Sequence, residues 1–200
     1  MTAQARLERQ FAFLREAEKL KSVSRATPIH NATRRENSAE HSWSLALNAL
    51  VLAEHAAPGV DVMRAVKMLL IHDLVEIDVG DVPIHSGGGA AHGAAEVLAA
   101  EAAAAERIFG LLPADMGADL RAIWHEFEAA ESATAVFAKS LDRVQPVLLN
   151  LQSGGGSWVD YDVSWEQLES RVGAKVARGL PGVWDWVRGQ IHPWFAARGR

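Results

Sequence analysis

Four residues of metal-ligating type sit inside apolar helical patterns: His41, the adjacent pair His72-Asp73, and Asp142. His72 follows Leu69 by three residues and Asp73 follows it by four, so both fall on the inward side of a helix written VMRAVKMLLIHDLVE. His41 leads Leu45 by helical spacing, and Asp142 directly follows Leu141 in a stripe of Phe137, Leu141, Val144 and Leu148. Three helices would each point such a group inward. Two imidazoles and two carboxylates make a mixed N/O donor set suited to Mn²⁺, Co²⁺, Fe²⁺, Zn²⁺ or Ni²⁺ more than to Ca²⁺. On an octahedral ion, four protein ligands leave two positions open, room for a phosphate oxygen and a water, as metal-assisted hydrolysis requires. Taken singly, each residue is as readily a satisfied core histidine or a chance acid; the surrounding sequence gives the set its meaning.

The elements that position these groups read as helices nearly throughout. Leu7, Phe11, Leu14 and Ala17 recur at helical spacing; a polar, irregular stretch over 22–35 contains Pro28. Ser38 is the expected N-cap of the helix carrying His41, which ends before Pro58-Gly59, and Asp61 caps the central helix, whose apolar residues run almost all round it. Gly80 and Pro83 end that helix, and SGGG at 86–89 reads as a flexible loop. Further helices are expected over 94–111, 120–131 and 134–151, then a mobile SGGGS loop at 153–157, and a last helical region from 164 to about 195, broken around 179–182. No stretch alternates with period two for long enough to be a strand. The expectation is one all-α domain over 1–200, with a motif-bearing core at about 20–150 and C-terminal helices over 164–198 packed on it.

Composition narrows the chemistry. The chain has 200 residues and no cysteine, which excludes a disulfide framework, a Cys-ligated zinc, an iron–sulfur cluster and a thiol nucleophile. At 49% hydrophobic and 22% charged it is ordinary for a globular protein. A net charge of −5 provides no global field for a nucleic-acid polymer or an anionic membrane, so an anionic ligand needs a local positive centre. The N-terminal residues are charged every few positions, with no signal-peptide core, and no window approaches the ~18 apolar residues of a membrane span. A cytoplasmic location is the resulting expectation.

EHSW at 40–43, IHDLVEIDVGDVP at 71–83 and KSLDRVQPVLLN at 139–150, together with ENSAEHSW and WHEFE, resemble the HD-domain metal-dependent phosphohydrolases. The branch they resemble is that of the 5′-deoxynucleotidases, over roughly residues 20–150. The resemblance implies an all-α HD-domain bundle with the metal site between core helices. By it, His41, His72, Asp73 and Asp142 bind one divalent metal ion (Mn, Co, Fe, Zn, Ni or Mg). It places Glu76 and Asp81 in the active site, where a carboxylate positions the attacking water and accepts its proton. Arg25, in LKSVSRATPIH, corresponds to an Arg that contacts the substrate phosphate, with Arg34 and Arg35 as alternative suppliers of that charge. Without the resemblance, Glu76 is a solvated helix-end acid and Asp81 a turn residue.

The implied function is release of phosphate from a small monophosphate, a nucleoside 5′-monophosphate. The alternatives are phosphodiester or pyrophosphate cleavage of another nucleotide, or a metal-containing helical binding protein without turnover. In bacterial 5′-deoxynucleotidases a Trp directly follows the phosphate-binding Arg; here Ala26 does, which leaves room for a 2′-hydroxyl unless Trp43 or a C-terminal Trp fills it. His85 and His92 flank the SGGG loop and are weak candidates for a second metal, while His125 reads as a helix-surface or outer residue. Trp158, Trp165, Trp184, Trp186 and Trp194 read as core or interface anchors, and the resembled family implies a homodimer.

Overall fold

The chain begins with α1 (Ala3–Ala17), whose first turn is closed by the Thr2 hydroxyl accepting from Ala5 N–H. In this computed structural model, which describes residues 1–199, α1 is not seated by its regular apolar stripe. Phe13 is its buried contact, stacked on Phe109, while Leu7, Phe11 and Leu14 are about half exposed. The helix is held instead by its polar residues: Arg6 pairs with Asp115, and Arg9 donates to the carbonyls of Gly110 and Leu112.

A 3-10 turn (Glu18–Ser22) leads into β1 (Ser24–Pro28), which pairs antiparallel with β2 (Arg35–Asn37). This hairpin corrects the expectation of an irregular, strand-free stretch. Its strands are short, and period-two alternation cannot register in so few residues. The next helix, α2 (Ser38–Val51), is capped by Asn37 rather than Ser38: the Asn37 carboxamide accepts from Glu40 N–H while the Glu40 carboxylate accepts from Asn37 N–H. Displaced from the cap, Ser38 is buried and free to face the site.

Asp61 caps α3 (Val62–Ile71) as expected, through Arg64 N–H. The helix is less enclosed than its composition implies: Ala65, Met68 and Leu69 are buried, but Met63 and Leu70 face outward. Nor does it continue regularly. The backbone tightens into a 3-10 segment (His72–Val75) before one more turn, α4 (Glu76–Val79). Gly80, at φ 75°, then reverses the chain in a conformation that costs a side-chain-bearing residue free energy.

At 86–89 the chain makes an irregular turn with Gly87 and Gly88 at positive φ, and a short 3-10 turn follows at Ala91–Gly93. Then come α5 (Ala95–Phe109), α6 (Ala114–Ala129), which starts nearly two turns before the expected residue 120, and α7 (Ala133–Gln152). Two of the three glycines after α7, Gly155 and Gly156, are packed against neighbouring side chains, unlike the free loop the sequence suggests. Asn150 Oδ1 accepts from Ser157 N–H at 2.9 Å, and a Cβ on Gly156 would lie 2.3 Å from that oxygen and 2.8 Å from Pro28. The chain closes with α8 (Ser157–Asp160), α9 (Trp165–Leu168), a π-helical turn (Glu169–Gly173), α10 (Ala174–Gly179) and α11 (Pro181–Ala196).

The architecture is all-α apart from the hairpin. Leu45, Leu69, Phe137, Leu141, Trp158, Val176 and Ile191 lie in one core cluster, so α2, α3 and the C-terminal helices close around α7. Burying each large apolar side chain there contributes about 1.5–3 kcal/mol. A second cluster, with Phe13, Leu74, Ile108, Phe109 and Trp124, fixes the 3-10 segment from the other side. No helix among the described residues is long and apolar enough to cross a membrane.

Candidate metal centre and active site

His41 from α2, His72 and Asp73 from the 3-10 segment, and Asp142 from α7 converge between the two core clusters. Ligand atoms of the first three lie within 4.8 Å of one another, and His41 is fully buried. His41 Nδ1–H donates to Gln145 Oε1 at 3.0 Å, and Gln145 in turn donates to Glu36 Oε1 at 3.0 Å. That leaves the Nε2 lone pair of His41 3.0 Å from Asp142 Oδ1. His72 repeats the arrangement: Nδ1–H donates to Leu69 O at 2.9 Å, and Nε2 lies 2.9 Å from Asp73 Oδ1 and 3.7 Å from Asp142 Oδ1, without the alignment of a hydrogen bond.

Two buried nitrogen lone pairs thus face carboxylate oxygens. The arrangement is repulsive unless a proton or a cation lies between. In the metal-free protein, protons serve. Burial disfavours charge on His72, yet the carboxylates of Asp73 and Asp142 outweigh it and raise its pKa to about 10. Burial likewise works against ionised Asp73, but His72 and Arg25 hold its pKa down to about 2; the hydrogen bond from His41 and the nearby positive charges of His72 and Arg143 hold Asp142 well below the usual range despite its burial. A divalent ion would replace those protons. The donor set, the orphaned Nε2 of His72 and the carbonyls that orient both rings fit such an ion.

Arg25 projects from β1 into the same site. Its Nη1 lies 2.9 Å from Asp73, and 3.6 Å from both Glu76 and Asp81, while its Nε, 3.9 Å from Glu36, has no hydrogen bond. The alternative arginines are engaged elsewhere: Arg34 pairs with Glu40, and Arg35 with Asp160 and the carbonyl of Ala26. Glu76 accepts from Ser38 Oγ at 2.5 Å, and Asp81 from Ala26 N–H at 3.3 Å. Burial, then the Asp73 charge, raises Glu76 well above the ordinary carboxylate range; Asp81 rises mainly through burial. Neither is the solvated surface acid that its local sequence would equally allow.

These groups floor a pocket whose far end is apolar, with Pro146, Val147, Trp158, Leu168, Val172 and Tyr161. His85 and His92 line the pocket too, each tied to an arginine rather than to carboxylates. Arg171 Nη1 is 3.4 Å from His85 Nδ1, and Arg143 Nη2 donates to His92 Nε2 at 3.0 Å while His92 Nδ1–H donates to Val82 O. Burial, then Arg171 and Arg143, lowers the His85 pKa to about 4. His125 is exposed against Trp124.

Sequence reasoning missed Glu36, Ser38, Gln145, Arg143 and Trp124, whose indole N–H donates to His72 O at 3.1 Å. Gln145 carried a signal: it lies three residues after Asp142, on the same face of α7. Glu36 carried none, since an acid beside a cap residue is ordinarily solvated.

A family model described as HD domain matches residues 17–184. The human 5′-deoxynucleotidase HDDC2 is 31% identical over 137 residues, 68% of this chain; the aligned region spans 64% of the human protein's length, less than two thirds of it. The 5′-deoxynucleotidase yfbR of Photorhabdus temperata is 25% identical over 82% of this chain and 84% of its own. A solved structure of a predicted metal-dependent phosphohydrolase from Magnetospirillum magnetotacticum MS-1 is 40% identical, with a TM-score of 0.88 over 97% of each chain.

Proposed function

The chain belongs to the HD domain family, and on that premise we propose that it is a metal-dependent phosphohydrolase releasing phosphate from a nucleoside 5′-monophosphate. His41, His72, Asp73 and Asp142 hold one divalent ion in this reading. The ion supplies a Lewis acid that polarises a phosphoryl oxygen and makes water a better nucleophile at neutral pH. With Asp73 turned to the ion, Arg25 is freed to meet phosphate oxygens with its planar fork. Hydrolysis takes a proton from the attacking water and delivers one to the departing ester oxygen. Glu76 and Asp81 would share that traffic, one as a carboxylate accepting the water's proton and the other, biased by burial toward holding a proton, delivering one to the leaving oxygen. The apolar end of the pocket receives the nucleoside, and the packed Gly156 turn fixes its wall by seating Ser157 and Trp158.

The observation that carries the reading is the pair of buried imidazole Nε2 atoms aimed at carboxylates, beside an arginine whose Nε is buried without a hydrogen bond. The test is phosphate release from a panel of nucleoside 5′-monophosphates, cyclic nucleotides, nucleoside diphosphates and sugar phosphates, each with Mn²⁺, Co²⁺, Fe²⁺, Zn²⁺, Ni²⁺ and Mg²⁺. Turnover confined to the monophosphates supports it; metal uptake with no turnover on any compound overturns it. Association as a homodimer is part of the proposal. It is supported by an outward-facing groove lined by Leu14, Trp43 and Leu70, an apolar surface of the kind monomers seldom expose.

A further inference from the structure

Outside the catalytic pocket, several arginines of this acidic chain are each paired with an acid. Arg6 pairs with Asp115, Arg64 with Glu126, Arg107 with Asp78 and Glu16, and Arg188 with Glu169. One cleft breaks the pattern. Lys139 and Arg143 of α7 and Lys175 and Arg178 of α10 line it together with His92, and Glu128 is the one acid in its lining. The spacings put each pair on a single helix face, and the helices are pinned at this edge, where Ser140 Oγ lies 3.3 Å from Lys175 O. Lys139 is paired with Glu128 at 2.9 Å. Arg143 Nε is buried without a hydrogen bond, and no side-chain hydrogen bond or ion pair engages Lys175 or Arg178 among the described residues.

Four cations gathered with one acid in the lining work against folding, and a concave wall largely of one sign concentrates oppositely charged solutes. Lys175 registers the crowding: partial burial, then Arg143 and Lys139, lowers its pKa. A metal ion or a neutral nucleoside gains nothing here. A single phosphate would meet only part of a cationic wall supplied by two helices, whereas a chain of phosphates can engage both pairs. We propose that the cleft between α7, α10 and the turn at His92 binds a polyphosphate anion, as a second ligand site outside the catalytic pocket. The two sites share the side chains of Arg143 and His92, which line both cavities. Occupancy of one therefore bears on the other, and any coupling is reciprocal.

Calorimetry of the full chain with sodium tripolyphosphate, in phosphate-free buffer with a chelator, tests this independently of hydrolysis. The wild type should bind, and Lys175→Glu/Arg178→Glu should bind at least 10-fold more weakly while retaining its circular-dichroism spectrum and its turnover in the absence of polyphosphate. If that pair of substitutions impairs folding, Lys175→Gln/Arg178→Gln serves. ATP is the second probe: equal affinity for the two assigns recognition to the phosphate chain alone, and tighter binding of ATP assigns it to a nucleotide. Absence of binding to the wild type, or undiminished binding to the variants, overturns the proposal.

Discussion

Two charged regions meet at Arg143 and have opposite make-up. On one side Glu36, Asp73, Glu76, Asp81 and Asp142 surround Arg25 and two imidazoles. On the other, four cationic side chains face Glu128. They resolve their repulsion differently because they differ in burial. The acidic cluster is largely buried, so without a cation its repulsion appears as shifted protonation: the neighbouring carboxylates raise the His72 pKa to about 10, and burial with the Asp73 charge raises Glu76 well above the ordinary range. In the cleft, Lys175 and Arg178 are exposed, so water and salt ions screen them. A ligand of the first region should therefore act on stability and chemistry together. A ligand of the second should bind with an affinity that weakens steeply as ionic strength rises.

The largest effects fall on the acidic side. Asp73→Ala should lose the metal and with it more than the ~10²–10⁴-fold that a general acid–base group contributes, whereas Glu76→Ala should keep the metal and lose turnover within that range. Metal content measured beside kcat separates them; a metal-free Glu76→Ala would make Glu76 a ligand. Chelation comes next. At metal ~100-fold above its Kd, linkage adds ~2.7 kcal/mol, so removal should lower Tm and Mn²⁺ or Co²⁺ restore it. An unchanged melting curve would mean that protons satisfy the cluster as well as an ion does.

The wall of the catalytic pocket beside Arg171 should show itself in acid. His85 has a folded pKa of about 4, below its unfolded value, so between pH 6.5 and 4 the unfolded chain binds a proton that the native state refuses. Stability is fully present above about pH 6.5 and is lost as pH falls toward 4, by on the order of 2 kcal/mol. Urea titrations of His85→Gln across that window should be flatter than those of the wild type. The smallest expected effect is in selectivity. With Ala26 rather than an indole beside Arg25, kcat/KM for dAMP and AMP should differ by less than about tenfold. A ratio on the order of 10³, or ~4 kcal/mol, would show that another residue, such as the pocket-lining Trp158, guards the 2′ position.

The metal-type residues were legible because helices carry their periodicity in the sequence. Leu69 and Leu141 mark the inward faces, and His72, Asp73 and Asp142 inherit their direction. Arg25 and Asp81 were legible through resemblance alone, since a short hairpin and a turn after Gly80 place them and neither has a period. Glu36 and Arg143 could not be read at all: their neighbours across space lie far away in sequence. The apolar stripe of α1 misleads for the opposite reason. Its period is real, but the side chains that seat the helix are Phe13, Arg6 and Arg9, on other faces.

The tightening of the backbone at His72–Val75 makes this segment a device encoded in length as much as in residue type. In a 3-10 turn residues three apart eclipse one another, so Asp73 and Glu76 stand in line where regular α-helix would fan them apart. One residue inserted between Ile71 and Glu76 would turn the downstream acid about a third of a turn away from Arg25 while every side chain kept its identity. Within this stretch, insertions and deletions should therefore be purged more stringently than substitutions. The spacing from His72 to Glu76 is the quantity for a designer to hold constant when transplanting the site onto another bundle.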